Sequence, residues 1–246
     1  MVRTSVLSLE GLSRADKIAT LRAQLVGMGR GEELPLPSSA DTVALMPVLA
    51  QYLPGGGLAR HRVTQMSEST MLAAIVIAHI SSHGGHVAVV GWPELSYAAI
   101  AEAGGDLSYL LAVPNPGAEA LTIATVLAEG VDLVVCRIPS DTAQPPLTHS
   151  QARSILGKIW LAPAAFLMVG RHLPGTAVEI EAHIWDFHGI GRGINRINQI
   201  DLLLCIKRKD SVSREVLLGI QEGGVIRETY LSGGETGREY SVLSAL

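Results

Sequence analysis

Residues 61–72, HRVTQMSESTML, stand where a phosphate-binding turn would do its work. A glycine-rich lead-in, Pro54-Gly55-Gly56-Gly57-Leu58, comes first, then a short apolar step around Val63, a polar turn, and a long apolar helix starting near Ser69. Cradling a phosphate takes glycines that let backbone N–H groups converge, a lysine for charge, and a hydroxyl for magnesium. The turn has the hydroxyls of Ser67, Ser69 and Thr70 but neither glycine nor lysine, and no lysine occurs between Lys17 and Lys158. A helix start bearing these hydroxyls, with Arg137 nearby, has the makings of a small anion site; simple capping of the helix by Ser67 or Ser69 accounts for the same residues.

Other chemistry-bearing groups are sparse. His79 and His83 fall four apart on one helix with His86 close behind, but there is no HExxH arrangement and no neighbouring cysteine, so no metal site is expected. Cys136 and Cys205 lie inside apolar strand-like runs and read as reduced, buried thiols. Residues 187–214 carry six cations (Arg192, Arg196, Lys207, Arg208, Lys209 and Arg214) against two acids, and Trp185 stands beside them. Such a segment suits weak binding to a nucleic-acid backbone or to an acidic protein; a solvated hairpin edge, where cations discourage strand addition, suits it equally.

The elements that must position these groups follow from periodicity. The β-branched run at 86–90 and the apolar runs at 108–113, 131–138 and 164–170 read as strands of a sheet covered on both faces, and helices at about 69–82, 94–103, 117–129 and 148–161 alternate with them. That alternation implies right-handed crossovers and a mostly parallel sheet. Runs at 177–187, 199–208 and 214–220 have no helix between them and read as antiparallel strands. GIGRGINRI is expected as a basic loop between two of them.

Residues 13–28 form a separate amphipathic helix with Ile18, Leu21, Leu25 and Met28 on one stripe, followed by a linker rich in Gly, Pro and Ser. The expected organisation is a helix and linker over 1–40, a core over 41–222, and a Gly-rich tail over 223–246, irregular or only partly ordered. Apolar residues make up 48% and charged ones 17%, enough to bury a core, and a net charge of −4 argues against a general polyanion binder. With no secretory leader and no apolar run of membrane length, a cytoplasmic protein is expected.

Several strings now resemble the RecA core: LPGGGL ahead of its phosphate loop, GGHVAVVGWPE at the strand ending in its catalytic glutamate, LLAVPNPGAEALTIATVLAEGVDLVV, and AAFLMVGRHLPG. The sequence is similar in particular to the shortened RecA relatives of the actinobacterial ImuA type, through GGHVAVVG, DLSYLLAVPNPG, GVDLVV and GIGRGINRI. The resemblance implies an α/β fold: a mostly parallel RecA-like sheet flanked by helices, with antiparallel C-terminal strands and a separate N-terminal helix. It also implies that the nucleotide residues are gone. Counting back from Gly85, the family's first glycine falls on Thr64, the last on Ser69, the lysine on Thr70 and the next hydroxyl on Met71. The magnesium-holding aspartate falls on Arg137 and the phosphate-sensing glutamine on Gly170. Glu94 alone stands where the family has its water-activating glutamate; as a first-turn helix acid it needs no such role.

The expectation is thus a non-enzymatic protein with degenerate ATPase motifs and no cofactor. By resemblance it is an adaptor of a DNA-damage-induced SOS mutasome, with a Y-family polymerase-like partner of the ImuB type, possible contacts to RecA and DNA, possible self-association, and a role in error-prone translesion synthesis. Ile18, Leu21, Leu25 and Met28 are its candidate partner contacts. A cell-division inhibitor of the SulA type and an active RecA-like ATPase are the alternatives.

Overall fold

The computed structural model describes residues 41–140, 148–173, 176, 178–191, 194–208, 211–221 and 226–229. The stripe of Ile18, Leu21, Leu25 and Met28 lies outside these, as do Arg192 and Lys209. The chain enters through β1 (Thr42–Ala44), a single turn α1 (Pro47–Ala50), and β2 (Gly57–Ala59), which pairs antiparallel with β1. The glycines of the lead-in make this turn: Gly55 and Gly56 take φ of 70° and 78°, and a Cβ on Gly57 would run into the Val43 carbonyl.

Strand and helix then alternate as β3 (Val63–Met66), α2 (Thr70–Ser82), β4 (Val87–Val90), α3 (Tyr97–Glu102), β5 (Leu110–Val113), α4 (Ala120–Leu127), β6 (Leu133–Ile138), α5 (His149–Leu161) and β7 (Ala165–Gly170). Ser69 starts α2 by accepting a hydrogen bond from the Leu72 N–H at 3.3 Å, and Gly84, at φ +80°, ends it. Thr148 and Gln151 form a capping box on α5. The start of α3 is later than the expected 94: Ser96 caps it, because its hydroxyl accepts from the Ala99 N–H.

Four more strands follow: β8 (Val178–Gly191), β9 (Ile194–Arg208), β10 (Ser211–Gln221) and β11 (Ile226–Thr229). All but β1 and β2 join one sheet, in the order β11-β10-β9-β8-β3-β7-β6-β4-β5. From β8 to β5 every neighbour is parallel; from β8 to β11 every neighbour is antiparallel.

The apolar runs are continuous because both faces of the parallel part are covered. Val87 and Val89 pack with α2 and α3, whereas Ala88 and Val90 face the cluster holding α4 and α5 residues. Past β3 the core continues on one face: Leu202, Leu204, Ile206, Val216 and Leu218 join the α2 side, while the other face is mixed, with Leu217 and Asp201 buried and Glu181 paired with Lys207. No described helix is long and apolar enough to cross a membrane.

Two expectations change. GIGRGINRI is mostly strand, not loop, since pairing of β8 with β9 continues to Gly191–Ile194. And the sheet does not stop at 222: the Gly-rich segment, expected to be irregular or only partly ordered, contains β11, fastened where Glu228 accepts hydrogen bonds from Tyr52 Oη at 2.5 Å and Gln51 Nε2 at 3.0 Å.

Candidate functional site

Ligands of open parallel sheets bind at the carboxyl ends of the strands, and here that edge is filled by the chain's own side chains. The connection from β3 to α2 is only Ser67, Glu68 and Ser69. Thr64 therefore does not open a phosphate loop; it is 5% exposed inside β3, opposite Leu167 and Val178. The neighbouring Gln65 is buried too, its amide donating to the carbonyls of Gly170 (3.0 Å) and Arg171 (3.3 Å).

Little of the expected anion cradle is left. The Ser67 N–H donates to the Ile180 carbonyl at 2.9 Å, and the Ser67 hydroxyl accepts from the Ala182 N–H at 2.9 Å, so this residue is joined to β8. The Ser69 N–H turns back on the Ser67 carbonyl at 2.7 Å. Thr70 is exposed at the helix start, and Met71 packs against the core.

Over the turn sits a carboxylate that the sequence pattern did not single out, Glu68. Arg137, on β6, donates to Glu68 Oε2 from Nε (3.2 Å) and Nη2 (3.0 Å), and to Glu94 Oε2 from Nη1 (3.1 Å). Ser140 gives Glu68 Oε1 its backbone N–H (3.0 Å) and its hydroxyl (3.2 Å). The guanidinium also lies over buried Trp92, 5.8 Å from the ring centre. Burial alone would raise the Glu68 pKa, but the Ser140 N–H and the Arg137 charge outweigh it and hold the carboxyl below its ordinary value. A backbone N–H, a hydroxyl and a guanidinium form the donor set a phosphate oxygen would take; here they serve a side-chain carboxylate.

Glu94 stands outside α3, in the turn before its cap, so its place is explained by Arg137 and not by the helix dipole. Gly170 gains a reason as well. Its φ is +82°, and a Cβ there would come within 2.7 Å of the Glu68 carboxylate, so glycine makes room for the ion pair.

The basic patch is not one patch. Arg196 lies near the hairpin tip, whereas Lys207 and Arg208 lie where β9 pairs with Glu179 and Val178. Lys207 lies eleven strand positions on from Arg196, roughly 35–40 Å at about 3.4 Å per step. Lys207 is bound to Glu181 at 2.8 Å. Trp185 lies between them, at the bulge between Ile184 and Asp186.

What the hairpin does present is apolar surface. Pairing of β3 with β8 ends at Ile180, so beyond it β8 is the free edge of a β8–β9 ribbon that β10 backs as far as Gln199 and that is two-stranded only at its tip. Ile184, Trp185 and Phe187 on that edge strand, and Ile197 at the tip, are 42–54% exposed. Trp185 was the only one of these that the sequence pointed to; the bulge between Ile184 and Asp186 breaks the alternation that would mark the rest.

Elsewhere, Cys136 is buried, its thiol pushed up to about 12, while Cys205 lies 3.2 Å from the Ser213 hydroxyl. The rings of His79 and His83 are 4.4 Å apart, and His86 meets the edge of Tyr109. No three metal-ligating side chains converge among the described residues.

Known proteins agree with this architecture. The crystal structure of the RadB recombinase superposes with a TM-score of 0.51 at 16% identity, over 72% of this chain and 94% of that one, which bears out the RecA-like fold. The uncharacterized protein Rv3395c of Mycobacterium tuberculosis is 27% identical over 170 residues, 69% of this chain and 78% of its own. The profile of the MT3502 N-terminal domain matches residues 51–175, from the end of α1 through β7 and short of the ribbon. This chain belongs to the MT3502 N-terminal domain family.

Proposed function

We propose that this protein is a non-catalytic RecA-like adaptor of the ImuA type, which docks a Y-family polymerase-like partner in a DNA-damage-induced mutasome. The observation that carries the non-catalytic half is the Glu68–Arg137–Glu94 ion pair at the edge where nucleotide would bind. A carboxylate stands where phosphate would, and a cation stands where magnesium would need an anion. A three-residue turn cannot wrap a phosphate as the eight-residue motif does.

The docking half is supported by the ribbon. An edge strand that holds Trp185 and Phe187 in solvent suits a partner surface. The N-terminal stripe of Ile18, Leu21, Leu25 and Met28 is the second proposed contact. A recombinase shares the fold, which is in keeping with a body used in DNA transactions. RecA and DNA are further proposed contacts, with Arg196 at the ribbon tip the cation best placed for a phosphate backbone.

The test is affinity capture of the tagged full chain from DNA-damaged cells, paired with ATP calorimetry. Recovery of a Y-family-like protein, lost with Leu21→Glu/Leu25→Glu, is the expected result. Recovery of the division tubulin instead replaces the adaptor with the SulA-type inhibitor, and ATP binding overturns the non-catalytic reading.

A further inference from the structure

The opposite, N-terminal edge of the parallel strands holds a cavity of about 350 Å³, lined among others by Thr42, Arg60, His79, His83 and Asp132. His79 and His83 are one helical turn apart on the last turn of α2, so they share a face. Their rings lie 4.4 Å apart, tilted by 47°.

Three features prepare this pair for a cation. His83 Nδ1 is 2.7 Å from the His79 carbonyl oxygen. A carbonyl oxygen only accepts, so Nδ1 carries the hydrogen and Nε2 keeps its lone pair for a ligand. The pair also sits at the C-terminal end of a 13-residue helix, whose dipole favours positive charge. Finally, the cavity's own charges are already matched. Arg60 Nη2 is 2.9 Å from Asp132 Oδ1, and Asp132 Oδ2 accepts the His86 N–H at 3.1 Å. Neither group binds the imidazoles, and the space beside them has room for water.

We propose that His79 and His83 form a two-imidazole site for a divalent transition metal of the zinc or copper kind, with water from the cavity completing its coordination. Imidazole nitrogen selects such metals over magnesium and calcium, which take oxygen. The site is independent of the ion pair at the other edge and of the adaptor reading.

The test is calorimetric titration of the full chain with zinc chloride near pH 7.5. One equivalent is expected to bind, to be lost in His79→Gln and separately in His83→Gln, and to persist in His86→Gln. Absence of zinc binding by the unaltered chain, or binding undiminished in both variants, overturns the proposal. Should either variant fail to fold, copper(II) electron paramagnetic resonance on the unaltered chain decides: two coordinating nitrogens uphold the site, and one or none removes it.

Discussion

At the carboxyl edge of β3 and β6, Glu68, Glu94 and Arg137 satisfy one another, and Ser67 is tied to a neighbouring strand. On the β8–β9 ribbon, bulky apolar side chains are 42–54% exposed to water. The two regions occupy one sheet and differ in what they leave unfinished. An edge that supplies its own anion to its own cation has no remaining demand for a charged ligand. A ribbon that exposes Trp185 and Phe187 still has surface to bury. The contrast turns attention from the carboxyl edge, where open parallel sheets take ligands, to the antiparallel extension.

The sharpest way to break this contrast is at the ribbon. Ile184→Ser/Trp185→Ser/Phe187→Ser is expected to abolish partner capture while moving the melting temperature only a few degrees, as exposed substitutions do. A large drop in melting temperature would instead make these side chains part of the fold. Next in size is Arg137→Ala. It strands two carboxylates, and because these are 32% and 65% exposed, solvent reduces the penalty to about 1–2 kcal/mol of unfolding free energy by urea titration. Pairing Arg137→Met with Glu68→Met should recover part of that loss.

Smaller effects come with pH. The folded pKa of Glu68 is lowered, so its stabilisation is complete above the ordinary value of 4.5 and is lost as pH falls through the folded value. Glu68→Gln should flatten acid unfolding in that window, followed by circular dichroism. His188, which lies 2.7 Å from Asp201, has a raised pKa, mainly through that hydrogen bond. Its contribution to the ribbon is complete below the ordinary 6.5 and disappears as pH rises through the folded value; Asp201→Asn should bring the imidazole titration, read by NMR, back towards 6.5. The smallest expected change is none: Ser69→Gly/Thr70→Lys should still bind no ATP by calorimetry, because Thr64 remains inside β3 and Glu68 remains over the turn.

The helices, the parallel strands and their order along the chain were legible, because runs such as Val87–Val90 must face apolar cover on both sides. The reversed charge at Arg137 was legible as a loss, but its purpose was not. Its partner Glu68 lies 69 residues away in a turn where a lone acid looks like solvent-facing polarity. Thr64 and Gln65 read as turn residues because polar side chains seldom fill a central strand; Gln65 does so by satisfying two carbonyls. The cations of 192–214 looked like one patch because sequence distance ignores that β9 runs away from the tip. β11 escaped because four residues flanked by glycines carry no periodicity.

That short strand has a practical consequence for anyone preparing the protein. Tyr52 and Gln51 grip Glu228, so the final described strand closes the sheet beside the first helical turn. A polypeptide cut after Gln221, where composition invites the cut, would end with the outer edge of β10 bare. A naked strand edge recruits other chains, so such a fragment would be prone to aggregate and to proteolytic nicking, and its misbehaviour would be mistaken for instability of the core.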